Sequence, residues 1–184
     1  YVKHYIKSSM VIDIGQEASS GGRRPELIDL KPAGGYVIGV SVIQGGIVGV
    51  LTDLKIRVIE KTVSHEGVSC ENVRAVIQSV LEKSKVEIDK VKGVGLGVSA
   101  IPSLNISEVC GVLSDQFSFP VFVAQDAMCA ALGEKRLNRD ADVYNMLYMY
   151  SDIGCGIILQ GDIYLGSSGD AGEISLSSEN LADK

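Results

Sequence analysis

The run from Lys92 to Ser99, KGVGLGVS, constrains the fold more than any other stretch of the chain. It is almost continuously apolar and of strand length, without the polar alternation of a strand that has one wet face, so it suits a parallel strand covered on both sides. The preceding segment supplies one cover. Behind Ser69 in a capping position, Val73, Val76, Ile77, Val80 and Leu81 fall on one helical stripe, with Glu71, Arg74, Gln78 and Glu82 opposite. A buried strand entered from an amphipathic helix predicts an α/β fold.

The flanking pattern extends that reading. From Tyr36, VIGVSVI, a Gln44-Gly45-Gly46 turn, IVGVLTDL and RVIEKTV form three β-rich runs with short connections, an expected antiparallel meander. Downstream, Val109, Val112, Leu113 and Phe117 make a second helical stripe with Ser107 as its expected cap, and PVFVA at 120–124 reads as another buried strand. Asp126 then occupies a capping position ahead of AMCAALGEKRL, whose closing Lys135 and Arg136 suit the negative end of a helix dipole. After the polar break NRDAD, the runs YNMLYMY, GCGIILQ and IYLG read as strands, the last two joined by a tight turn at Gln160-Gly161-Asp162. The expected order from Tyr36 is β-β-β-α-β-α-β, one more helix, and a new set of strands.

Ahead of Tyr36 the character differs. Val2, Tyr5 and Ile6 have helical spacing, and Met10 to Ile14 is a short apolar run, so a helix tail and then a strand are expected. The stretch GQEASSGGRRPELIDLKP clusters Gly, Ser and Pro around Arg23 and Arg24, and is expected to be a linker.

Charge and composition narrow the chemistry. With 23 acidic against 17 basic residues and a net charge of −6, the chain has no overall attraction to a polyanion, and DNA contact would need a local basic segment. Cys70, Cys110, Cys129 and Cys155 are widely spaced and only His4 and His65 could add imidazole, so neither a zinc ribbon nor a redox motif is readable, and no metal or cofactor is expected. Thiols of this kind are expected in a core within a reducing cytosol. No apolar run approaches the ~18 residues of a membrane span and no export signal opens the chain, so a cytoplasmic protein without a membrane partner is expected. The start on Tyr1 and the polar end SSENLADK suggest a piece of a longer chain.

Three stretches, in order, carry a resemblance. ASSGGRRPELIDLKPAGGYVIGV resembles the segment that joins a winged helix-turn-helix domain to the sensor domain in ROK (repressor, open reading frame, kinase) regulators. PVFVAQDAMCAALGE resembles that family's PVxVENDANAAALGE, and GIILQGDIYLGSSGDAGEISL resembles its GIIxNGxLYxGxxGxAGEIGH. The resemblance implies the actin-like ATPase or sugar-kinase fold, with a ribonuclease H-like first lobe and a truncated second lobe. It places the end of a winged helix and a linker at 1–35, the first lobe at 36–138, and the incomplete start of the second lobe at 139–184.

The departures from the family pattern point away from catalysis. Kinases of the family open the first hairpin with DxGGT, a phosphate-handling turn; here the matching residues are Ser41, Val42, Ile43, Gln44 and Gly45. The second phosphate loop, GxGIGxG, is matched by Tyr150, Ser151, Asp152, Ile153, Gly154, Cys155 and Gly156, which loses two glycines and adds a like charge. Asp126 matches the family's general base, but the flanking Asn residues are Gln125 and Met128; Glu173 matches a sugar-hydroxyl acceptor whose partner His is Leu176. The segment between Val98 and Pro120 is shorter than in the family, with Asn105 as the remnant of a sugar-contacting Asn.

Two readings stand for each residue. Asp126 is a vestigial sugar ligand or an ordinary helix cap; Glu173 is a sugar ligand or a solvated loop charge. Arg23 and Arg24 enter a DNA minor groove or are plain linker charges. Gly93, Gly95 and Gly97 fit close packing rather than a dinucleotide site, because no helix start follows at once. The expected function is a non-enzymatic ROK-type transcriptional regulator module for carbohydrate-metabolism genes, sensing a sugar or sugar phosphate or serving homo-oligomerisation, with DNA bound through the winged helix. The alternatives are an ATP-dependent sugar kinase and a scaffold without ligand.

Overall fold

In a computed structural model, which describes residues 2–16, 26–43, 45–99, 104–137, 143–150, 154–169 and 171–173, the segment ahead of Tyr36 is more ordered than its composition predicts. Helix α1 (Val2–Lys7) leads into strand β1 (Val11–Gln16), as expected. The surprise is β2 (Glu26–Leu30), which lies in the stretch expected to be linker and pairs antiparallel with β1. Almost every residue of the hairpin is exposed, so it is held by backbone pairing and not by a core of its own. That is why hydrophobic patterning does not reveal it. The pairing slips between Asp13 and Gly15, where Gly15 takes φ 110 and donates its N–H to the Asp13 side chain at 2.8 Å.

By packing, the chain divides into two units, Tyr1–Gly95 with Pro102–Phe122 and Leu96–Ile101 with Val123–Lys184. The expected meander is present as β3 (Tyr36–Ile43), β4 (Gly46–Asp53) and β5 (Val58–Ser64), paired antiparallel throughout. Helix α2 (Cys70–Ser84) starts at Ser69, whose side chain accepts the Asn72 N–H, and buries Val73, Val76, Ile77 and Val80 of the expected stripe. Gly49 makes room for it: a Cβ there would lie 2.6 Å from Val76 Cγ1. On the sheet side, Ile38, Val40, Val42, Ile47 and Leu51 complete the core.

Strand β6 (Val91–Val98) is buried along nearly its whole length, as the opening inference requires. Helix α3 (Ile106–Gln116) and β7 (Val121–Gln125) follow, and the sheet order is β5-β4-β3-β6-β7. Val94 N–H donates to Pro120 O at 2.9 Å, and further along both strands Ser99 reaches Asp126, so β6 and β7 run in the same direction. Phe117 and Phe119 stack with centroids 5.0 Å apart and close the end of α3.

In the second unit, helix α4 (Asp126–Leu137) packs against β8 (Met146–Tyr150) and β9 (Gly154–Leu159), with the two-residue β10 (Asp162–Ile163) at the edge. The sequence reading places α4 with the first lobe; its apolar side, Ala127, Met128 and Ala131, is buried, and its packing partners are these strands. Ile158 is fully buried, whereas Leu147, Met149 and Leu159 are 64%, 59% and 44% exposed. The strands therefore have one covered face and one open apolar face. Among the described residues, no helix is long and apolar enough to cross a membrane.

Candidate functional site

Asp126 sits where β7 turns into α4, at the carboxyl ends of two parallel strands, the position at which open α/β sheets place ligands. Its carboxylate is already engaged. One oxygen accepts the N–H of Ala127 at 2.8 Å, and the other accepts the hydroxyl of Ser99, just past the end of β6. An ordinary N-cap satisfies the N–H two or three residues ahead; this carboxylate instead bridges a helix start to the neighbouring strand. The capping alternative is thereby narrowed to a local tether, and Ser99 is a member of the site that the sequence alone did not supply. Its signal was positional: a hydroxyl at the end of a strand beside the strand that ends in Asp126.

Two more side chains mark the place. Gln125 has a buried Oε1 with no hydrogen-bond partner among the described residues, an acceptor open to a donor. Cys129, one turn along α4, keeps surface in solvent while its sulfur lies against β6, since a Cβ on Gly97 would be 3.3 Å from Sγ. Burial, and then the Asp126 carboxylate, push the Cys129 thiol pKa up. Gly97 thus serves close packing against α4, and Gly93 lies close to Pro120, as expected of the glycine string, whereas a Cβ at Gly95 would meet nothing within 4 Å.

The remaining candidates separate. Asn105 lies in the first unit and is the true cap of α3, accepting the N–H groups of Ser107 at 3.1 Å and Glu108 at 3.3 Å. Ser107, the expected cap, is inside the first turn; the extended backbone at Asn105 and its short carbonyl arm put the acceptor in reach of both donors. Its Oδ1 is therefore engaged within the helix. It also borders a cleft of about 370 Å³ between the starts of α2 and α3, with Cys70, Glu71 and Glu108, where burial and the two carboxylates raise the Cys70 thiol pKa.

Glu173 lies in the second unit with an exposed side chain, its backbone bridged to Gly154 at the head of β9. The preceding Gly172 has φ 97, accepts the Cys155 N–H at 2.8 Å, and leaves no room for a Cβ against the Cys155 carbonyl. Glu173 and Asp126 share no hydrogen bond. Arg23, Arg24, Asp152 and Leu176 lie outside the described residues. At the first hairpin, Val42 is buried and Ile43 pairs with Gly46, so this turn is closed by apolar strand ends, with His65 Nδ1 3.3 Å from Gly45 O.

A family profile matches residues 47–175, from β4 through both helix–strand units to the strands under α4. The chain belongs to the ROK family. It is 28% identical over 192 residues to the xylose repressor of Bacillus subtilis, covering 94% of this chain and 50% of that protein. It is also 23% identical to the DNA-binding transcriptional dual regulator NagC of Escherichia coli K12, over 94% of this chain and 47% of that one. The chain thus spans about half the length of these relatives. The crystal structure of a ROK family transcriptional regulator, a homologue of the E. coli Mlc protein, superposes with TM-score 0.70 at 18% identity, covering 97% of this chain and 51% of the other. A ROK family glucokinase from Streptomyces griseus, in complex with glucose and AMPPNP, gives 0.64 at 21% identity, over 78% and 51%. These likenesses establish the expected actin-like fold.

Proposed function

We propose that this ROK chain is the sugar-sensing part of a transcriptional regulator and transfers no phosphate. The observation that carries the reading is the Asp126 site: the family's carboxylate is kept and tethered by Ser99, beside an unpartnered Gln125 acceptor, while the first phosphate turn is built from Ser41, Val42 and Ile43. The alignment with named repressors over most of the chain supports it. Within this reading residues 36–138 are the first lobe and 139–184 the start of the second, Asp126 and Glu173 contact sugar hydroxyls, and Arg23 and Arg24 accompany a winged helix onto DNA.

Cys129 gives the test, because its thiol reports on Asp126. Alkylation by iodoacetamide, followed on the Cys129 peptide at neutral pH, is expected to slow when a pentose or hexose that fits the site is added. Burial raises the Cys129 thiol pKa most and the Asp126 charge adds to it; Asp126→Asn removes that charge, so basal alkylation should rise and sugar protection should vanish. ATP, Mg²⁺ and the same sugars should yield no sugar phosphate. Turnover that disappears in Asp126→Asn would establish a kinase instead.

The open apolar face of β8 and β9 supports a homo-oligomer. Even a few hundred Å² of apolar area, at ~25 cal/mol per Å², is worth several kcal/mol when covered. Leu147→Lys is expected to shift sedimentation toward the monomer with the fold intact. Ile158→Lys should instead unfold the second unit, because Ile158 is fully buried. Equal behaviour of the two variants would mean that the faces are assigned wrongly.

A further inference from the structure

Three turns meet where the β1–β2 hairpin joins the first sheet. Pro32–Gly34 forms a single 3-10 turn between β2 and β3. On one side, the link between α1 and β1 presses on it: a Cβ at Gly34 would collide with Ser9 O and lie 2.9 Å from Met10 Cα. Lys31 N–H, just ahead, donates to Met10 O at 2.8 Å. On the other side, the β4–β5 turn takes hold: Leu54 N–H donates to Pro32 O at 3.3 Å, and Lys55 Nζ makes an ion pair with Asp29 on β2. Lys55 and then the Leu30 N–H hold the Asp29 carboxyl below the usual carboxylate range.

The shape of that β4–β5 turn is imposed. Ile56 has φ 61, a left-handed conformation disfavoured for a β-branched residue, and it is exposed rather than buried for packing. What enforces it is Asp53, 5% exposed, whose Oδ1 accepts the N–H groups of Lys55 at 2.8 Å and Arg57 at 3.0 Å. A buried carboxylate bends the turn into a strained form, and that form presents Leu54 and Lys55 to the hairpin.

We propose that the β4–β5 turn and the Pro32–Gly34 turn form a rigid mount that fixes the direction of the β1–β2 hairpin on the first sheet. Its meaning for regulation rests on the reading above, in which the hairpin belongs to the DNA-reading part: a mounted hairpin follows the sheet, whereas a tethered one does not. The mount itself is defined without DNA or sugar, so it and that reading stand or fall separately.

Residual dipolar couplings of the ¹⁵N-labelled chain test it. In the unaltered protein, amides of β1–β2 and of β3–β5 should fit one alignment tensor. In Gly34→Ala the added methyl has nowhere to go, and the hairpin should need a second tensor while β3–β5 keep theirs. Asp29→Lys should speed exchange of the Leu54 N–H by roughly threefold to tenfold, and adding Lys55→Asp should restore it, an arm that does not depend on how Gly34→Ala folds. Two tensors in the unaltered protein, one shared tensor in Gly34→Ala, or a Leu54 amide indifferent to Asp29→Lys would each overturn the mount.

Discussion

Gly156→Val is expected to unfold the second unit, with a loss of about 3 kcal/mol or more in urea denaturation. Gly156 lies in β9 directly beneath α4, and even a single Cβ there would collide with Ala131 Cβ and with the carbonyl of Ala127. Neither neighbour can step aside: both residues are fully buried, and one of the colliding atoms is helix backbone. A valine must therefore lift α4 off the strands and expose Ile158. The amide signals of Leu147 to Ile158 should lose their dispersion. A variant that keeps dispersed signals there would show that α4 does not lie on β9 at this spacing.

Asp53→Ala is the second large effect, expected at about 2–4 kcal/mol in the unfolding free energy of the first unit. The substitution removes the acceptor of two turn N–H groups and leaves the left-handed Ile56 held by backbone bonds alone, its N–H to Asp53 O and the Asp53 N–H to Arg57 O. The pairing with Arg57 Nε at 3.0 Å adds little to that figure, since Arg57 is mostly exposed. Asp53→Asn separates the contributions: its carbonyl can still accept both N–H groups, so most of the stability should remain. Equal losses in the two variants would assign the effect to charge and not to the turn.

The two effects differ in how visible they are beforehand. Gly156 belongs to the GCGIILQ run and to the matched phosphate loop, so the sequence marks it, though for a role in phosphate binding. Its role here is to admit a helix. Asp53 carries no motif and would pass for a turn residue, and only the hydrogen bonds converging on it show that it shapes the connection.

What the sequence by itself determined was the order of elements and the family. KGVGLGVS, the Val73–Val80 stripe and the meander runs each encode local periodicity and burial, which depend on neighbours a few residues away, and these came out as the patterns require. The order of motifs around Asp126 and Glu173 likewise fixed the family, because motif spacing is a property of the chain. Only the tertiary structure could decide which polar groups find each other across long separations. Ser99 meets Asp126 over 27 positions and Lys55 meets Asp29 over 26, and no periodicity reports such pairs. It also decided that β2 forms, since Glu26–Leu30 sits in a stretch whose Gly, Ser and Pro read as linker and is held by backbone pairing with β1, and that Asn105 caps a helix, since an Asn directly ahead of one reads the same whether its carbonyl turns to the backbone or to a ligand.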